Sequence, residues 1–427
     1  MKSLFKVGAA EIDITPAIGT GMVGALTPRY ATGIDDPLMA KALVLESKGT
    51  RIAIVAMDLA TLPRRHGDAC IKAASRKTGI PADHIIWCAS HTHTGPISEP
   101  EVYPTGIKPS DLAWLKKLPG QFAQVVAQAN ATRQPVRMSR VRTFCEGVAS
   151  SRRIRFKSGL EFNNWNLGQA DESQSLGYAS HVDPEIGALC FDGMDGNPVA
   201  ILWTFACHTN ANFGPRFSAD YPAVTAARLR ERYGKQTISV FLPGACGDVN
   251  PMLRHRELGS RIADSLISTM DNRKPFDYPI ALQAIRQQIT VPTRPFRADE
   301  NWRRKVSGWA PDLQKWFAYS ENLLKKRNEK EITTWVQAFR IGEIAFVTQP
   351  GELFVEWGLG LKASSPFPWT YPVELSGDYI GYLVTPEAEA AIGYESLNSW
   401  VSRIGPDGVK RLVDSGNTLL NTLWKKT

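Results

Sequence analysis

Apolar residues in this chain fall into short continuous runs separated by turn residues and by amphipathic stretches. Ala42–Leu45 and Ile52–Met57 flank Lys48-Gly49-Thr50 and predict two strands around a turn. His66–Thr78, closed by Gly79, predicts a helix, and Ile85–Ala89 the next buried strand. Further strands are predicted at Ala188–Phe191, Val199–Phe205, Ile238–Phe241 and Ile344–Thr348. Between them, Ala223–Tyr233, ending at Gly234, and Leu258–Met270 have the spacing of amphipathic helices. Strands alternating with helices imply an α/β layer architecture.

Two stretches break the pattern. Residues 156–184 are polar and rich in Gly, Asn and Ser, which predicts a long surface loop or one that lines a site. Residues 299–331 are highly charged yet carry Trp302, Trp309 and Trp316 at seven-residue spacing, one face of a helix. Pro311 is expected to break or kink that helix. It reads as a helical insertion, either a pair burying its aromatic stripe or a cover over a site. With no internal repeat and no low-complexity linker, residues 1–427 are expected to form one domain.

Composition narrows the class. Of 427 residues, 43% are hydrophobic and 22% charged, which excludes disordered, collagenous and coiled-coil proteins. The net charge is +8, but Lys and Arg are scattered and no nucleic-acid-binding signature accompanies them, so no nucleic-acid partner is expected. No transmembrane run is present, and the opening MKSLFKVGAAEIDITP has only four apolar residues in a row before Glu11. That is too few for a signal peptide, so a cytoplasmic location is expected. The six cysteines stand singly, and Cys88, Cys190 and Cys207 in apolar runs read as buried reduced thiols.

The chemistry concentrates at strand ends. In Cys88-Ala89-Ser90-His91-Thr92-His93-Thr94-Gly95-Pro96, two of the seven histidines stand at i and i+2, where an extended chain points both side chains to one face. Two imidazoles converging this way suit a divalent metal. His208 follows the strand ending at Phe205 and is placed to complete such a site. Phe241–Pro251 (FLPGACGDVNP) crowds glycines and prolines at a third strand end, a tight loop whose free N–H groups suit an anion or oxyanion.

VGAAEIDITP, MVGAL, SHTHTGP, the strand-end histidine, SADYP, GDVNP, Gln349-Pro350-Gly351-Glu352 and DYIGYLVTPE (378–387) occur in the order found in the neutral ceramidases. The chain resembles that family over roughly residues 5–400. The resemblance implies layered mixed β-sheets with flanking helices and a zinc (Zn2+) amidase site. It places the metal ligands on His91, His208, Glu352 and Tyr382. It places His93 as a substrate-binding or supporting histidine, Arg153 as the active-site arginine with Arg152 the adjacent alternative, and Tyr394 as a further active-site tyrosine. Asp220 and Asp248 would be supporting groups. Two departures stand out. Asn250 occupies the position of the family's GDVSPN serine, and the chain is too short for the family's C-terminal immunoglobulin-like domain.

The implied function is a zinc-dependent hydrolase that cleaves an amide or ester bond of a small, soluble substrate by metal-activated water, with Asn250 positioning rather than attacking. The alternative is a non-catalytic ligand- or metal-binding relative that lost the family serine. A barrel amidohydrolase is disfavoured, because only His255 follows His208.

Overall fold

The computed structural model describes residues 5–24, 29–104, 106–165, 167, 170–296 and 310–425. Among them the chain repeats one order of elements three times. In the first module, β1 (Lys6–Asp13), β2 (Met39–Ser47) and β3 (Thr50–Met57) form an antiparallel meander. Helix α1 (Arg64–Thr78) crosses over to β4 (Ile85–Ala89), parallel to β3, and α2 (Leu118–Ala131) closes the unit. The second module repeats this with β5 (Gln134–Phe144), β6 (Glu185–Gly193), β7 (Pro198–Phe205), α3 (Tyr221–Tyr233), β8 (Ile238–Pro243) and α4 (His255–Met270). In the third, β9 (Leu282–Pro292) and its antiparallel partner β10 (Glu331–Ile341) carry helix α5 (Pro311–Arg327) inserted between them. β11 (Ile344–Thr348), α6 (Val355–Ser364) and the parallel strand β12 (Trp369–Val373) follow. The short α7 (Pro386–Ala390) and the long α8 (Pro406–Lys425) end the unit.

The first two modules join edge to edge through only two residue pairs, Lys6–Pro135 and Val7–Gln134. Their eight-stranded sheet has the order β8-β7-β6-β5-β1-β2-β3-β4, and β9-β10-β11-β12 form a separate sheet. One core draws on all three modules: Leu43, Leu45 and Ile54 pack with Phe191, Leu202 and Val240 and with Phe339, Phe346 and Tyr371. Alternate residues of β2, Ala40, Ala42 and Val44, point the other way, onto Ile71, Phe122 and Val126 of α1 and α2. Helices α3 and α4 cover the second module in the same manner through Leu229, Ile262 and Leu266, and α6 and α8 the third through Leu361, Leu412 and Leu420. Because both faces of each sheet are covered, the strands read in sequence as unbroken apolar runs rather than alternating ones.

Pro311 opens α5 at its first position, where a missing N–H costs nothing. Trp316 lies on that helix, whereas Trp302 and Trp309 fall outside the described residues. The polar stretch 156–184 is only partly loop. Arg153–Phe156 pairs with Glu161–Asn163 and with Ser175–Tyr178 in a small three-stranded sheet. All six cysteines are buried free thiols. No helix among the described residues is long and apolar enough to cross a membrane.

Candidate metal centre

The ends of the parallel strand pairs of all three modules meet at one point. His91 lies two residues beyond β4, where its N–H donates to Leu59 O (2.8 Å) and its φ is 70°, a left-handed conformation rare outside glycine. His208 lies beyond β7, with its N–H on Val249 O at 3.1 Å. His93 N donates to Thr209 O at 3.1 Å, which ties the loops after β4 and β7 together. Glu352 follows β11 and pairs in parallel register with Tyr382.

The side chains converge tightly. His91 Nε2 is 3.1 Å from His208 Nε2 and 3.5 Å from His93 Nε2, and Glu352 Oε2 is 3.2 Å from the Nε2 atoms of both His91 and His208. His91 Nδ1 lies 2.9 Å from Ala60 O and His208 Nδ1 2.7 Å from Cys246 O. A carbonyl only accepts, so both Nδ1 atoms carry the proton and both Nε2 atoms of the neutral rings present lone pairs. Two imidazole lone pairs and a carboxylate oxygen therefore face one another in a buried site. A proton on one ring satisfies some of these contacts, whereas a divalent cation satisfies all of them. Ligands in a tetrahedral zinc shell with bonds of about 2.0–2.1 Å stand about 3.3 Å apart, which is the spacing seen here. The donor set fits a metal. His91, His93 and His208 form the cluster whose ligand nitrogens all lie within 4.8 Å of one another.

Electrostatics agree with the donor set. Burial would raise the Glu352 carboxyl, but the His91 and His208 rings outweigh it and hold the group well below the usual carboxylate range. Burial and the His91 ring bring His208 down to about 4, and burial with both neighbouring rings puts His93 well below its ordinary value. His91 moves the other way, because Glu352 overcomes the cost of its burial. Tyr379, which the sequence reading did not single out, donates its hydroxyl to Glu352 Oε1 at 2.8 Å and fixes the carboxylate.

Of the two arginines, Arg152 reaches the site. Its Nη1 lies 3.1 Å from His208 Nε2, and its Nε bonds the buried Glu395 at 2.7 Å. Arg152 also stacks its guanidinium 4.9 Å from the Tyr382 ring centre. Arg153, the residue favoured from sequence, pairs instead with Glu161 (3.2 Å), Glu356 (3.5 Å) and Asp248 (3.6 Å), away from the histidines. Arg152 sits in the bend between the strands Ala149–Ser151 and Arg153–Phe156, and the two neighbouring side chains point to different sides. Asp248 and Asp220 act through the backbone: Asp248 Oδ1 accepts from Val355 N, and Asp220 accepts from Tyr221 N and Asn212 N.

These groups open onto a cavity of about 460 Å³. His91, His93, Arg152, Asn250, Glu352, Tyr382 and Tyr394 line its polar floor, and Val102, Tyr103, Trp165, Phe213, Trp316 and Val401 its apolar walls. Asn250 pairs its backbone with Ser150, and Asn210 Nδ2 lies 3.5 Å from its side-chain oxygen. Tyr394 packs edge-on against Trp165 and Phe317.

No protein-family model matches the chain. Neutral ceramidase A of Dictyostelium discoideum is 24% identical over 216 residues, which is 48% of this chain and 29% of that protein. The match thus spans under a third of the curated relative's length. The crystal structure of neutral ceramidase from Pseudomonas aeruginosa superposes with a TM-score of 0.75 at 16% identity, covering 100% of this chain and 75% of that one. This chain has the neutral ceramidase fold. A ceramidase structure described as complexed with C2 superposes with a TM-score of 0.73, again at 16% identity, with 76% of its chain covered. The motifs that carry the neutral ceramidase resemblance sit where the strands converge: SHTHTGP after β4, GDVNP after β8, QPGE after β11 and DYIGY after β12.

Proposed function

We propose that the chain is a zinc-dependent hydrolase of an amide or ester bond. The observation that carries this reading is the pair of tautomer-fixed imidazoles whose lone pairs face each other and Glu352 across a buried site. His91, His208 and Glu352, with Tyr382 beside them, would hold the ion. A bound divalent cation there supplies Lewis acidity towards a carbonyl oxygen and lowers the pKa of water.

The chain's own groups then divide the remaining work. Arg152, charged and fixed by Glu395, faces the negative charge that develops on the carbonyl oxygen of a tetrahedral intermediate. Tyr394, whose hydroxyl burial pushes above its ordinary range, stays protonated and donates to the leaving group. His93, held unprotonated at neutral pH, accepts a proton. Asn250 orients the substrate through its amide. The apolar walls suit a short acyl chain or aromatic group, and the cavity has the volume of a drug-sized site.

Metal analysis of purified protein, combined with turnover assays on N-acyl amides, esters and lactones, tests the reading. The expected result is about one zinc per chain and chelator-sensitive hydrolysis. A folded protein with neither metal nor turnover would overturn it. Bound zinc without turnover on any substrate would favour the non-catalytic relative, which the asparagine in place of the family serine also motivates.

A further inference from the structure

The arms of the metal site come from three modules, and one tripeptide touches all three. Glu374-Leu375-Ser376 leaves the end of β12. Leu375 O accepts from Ala89 N at 3.1 Å, and Ser376 Oγ donates to Trp87 O, both on the strand that delivers His91. Leu375 N donates to Gly351 O at 3.2 Å, next to Glu352. The Glu374 carboxylate makes the decisive link. Its Oε2 accepts from Cys246 N at 3.0 Å and from Leu353 N at 2.9 Å. Cys246 O is the group that orients His208, and Leu353 is covalently joined to Glu352. One oxygen atom thus connects the backbone supports of His208 and Glu352. Cys246 Sγ, 3.0 Å from Oε1, occupies the other oxygen.

The arrangement is expensive for a mere filler of space. Glu374 is fully buried, and a carboxyl group in an apolar interior is tolerated only where its oxygens are hydrogen-bonded. Leu375 adopts φ 54°, a left-handed conformation disfavoured in a residue with a Cβ. A hydrophobic side chain and an extended backbone would fill the same space without either cost.

We propose that Glu374 is a positioning residue that sets the separation of His208 and Glu352 and thereby the metal affinity of the centre. The assignment rests on the hydrolase reading only in that the centre holds a metal. It predicts that geometry matters more than charge. Glu374→Gln keeps a carbonyl oxygen at the same reach for both backbone N–H groups. Glu374→Asp keeps the carboxyl group but withdraws it by one methylene.

The test is zinc affinity of the full chain by competition with a chromophoric chelator, with the visible spectrum of the cobalt-loaded protein as a second readout and circular dichroism as the control for folding. Glu374→Asp is expected to weaken zinc binding by about 10–100-fold, the range for loss of a group that orients a metal ligand, and to alter the cobalt bands. Glu374→Gln is expected to bind zinc and show the cobalt spectrum much as the wild type does. Wild-type affinity and spectrum in Glu374→Asp, or equal losses in both variants, would overturn the assignment while leaving the hydrolase reading intact. A wild-type chain without zinc affinity would overturn both.

Discussion

His91 and His208 differ from ordinary buried histidines because each ring spends its Nδ1 proton on a backbone carbonyl and turns the other nitrogen inward. His91→Ala or His208→Ala is therefore expected to lose zinc and activity together; full zinc occupancy in either variant, measured by atomic emission, would remove that residue from the ligand set. The two arginines give a sharper contrast. Arg152→Met should lower kcat by about 10²–10³-fold, the magnitude of one lost oxyanion contact, whereas Arg153→Met should lower the melting temperature and spare the rate per folded molecule. Asn250→Ala is expected to lower the rate by at most about 10²–10³-fold with zinc retained, which separates a positioning group from a turn residue that would cost only stability. At this scale the sequence was informative where chemistry dictates residue type. The histidines at strand ends are legible as candidate ligands from residue type, and Glu352 only through the resemblance carried by QPGE. The choice between Arg152 and Arg153 was not, because it depends on which strand face the 149–151 segment presents after pairing with 249–251. Tyr379 and Glu395 gave no sign, since their partners are 27 and 243 residues away.

Among the elements, α5 most directly shapes the cavity. Trp316 donates its Nε1–H to Val102 O at 2.7 Å, Phe317 packs on Tyr394, and Tyr319 donates to Glu101 O. The helix is thereby fixed over the site by groups that line it. Trp316→Ala should raise KM for substrates with apolar acyl groups while leaving zinc bound, which steady-state kinetics on a series of acyl lengths would show. Helix α3 supplies a pH test. Its N-cap Asp220, at φ 60°, is completely buried, and burial pushes its carboxyl from 3.8 up to about 7. A raised carboxyl pKa favours the folded state most below the unfolded value, and that contribution is lost as pH rises from about 4 to about 7. The wild-type melting temperature should thus fall more steeply over that range than that of Asp220→Asn; parallel slopes would show that Asp220 does not titrate this way. The strands and helices named from apolar runs were found within a few residues of their predicted ends, because burial on both faces leaves an unmistakable pattern. The small sheet built on Arg153–Phe156, Glu161–Asn163 and Ser175–Tyr178 was missed, because its strands are short, polar and partly exposed.

For the whole molecule, the threefold βββαβα order was invisible in the sequence. Topology is set by which strands are parallel and where helices cross over, and many apolar sequences meet those demands equally well. The loops between equivalent elements also differ, from 25 residues between β1 and β2 to 40 between β5 and β6 and 38, carrying α5, between β9 and β10. Since the proposed metal ligands belong to different modules, an ion bound among them would tie the modules together. Zinc at about 100 times its dissociation constant adds about 2.7 kcal/mol to stability, so chelation should lower the melting temperature, and readdition of zinc should restore it. An unchanged transition in differential scanning fluorimetry would show that the centre is not part of the folded state's energetics.

The spread of the ligands along the chain also governs how the protein is made. His91 leaves the ribosome long before Glu352, with 260 residues synthesised in between. At about 5–20 residues per second, the first histidine waits some tens of seconds for its carboxylate partner. During that interval the nascent chain has β4 and the SHTHTGP loop but neither Glu352 nor the Glu374 clamp that orients it. A metal ion held jointly by these groups would therefore be acquired late, by a finished scaffold rather than by an emerging one.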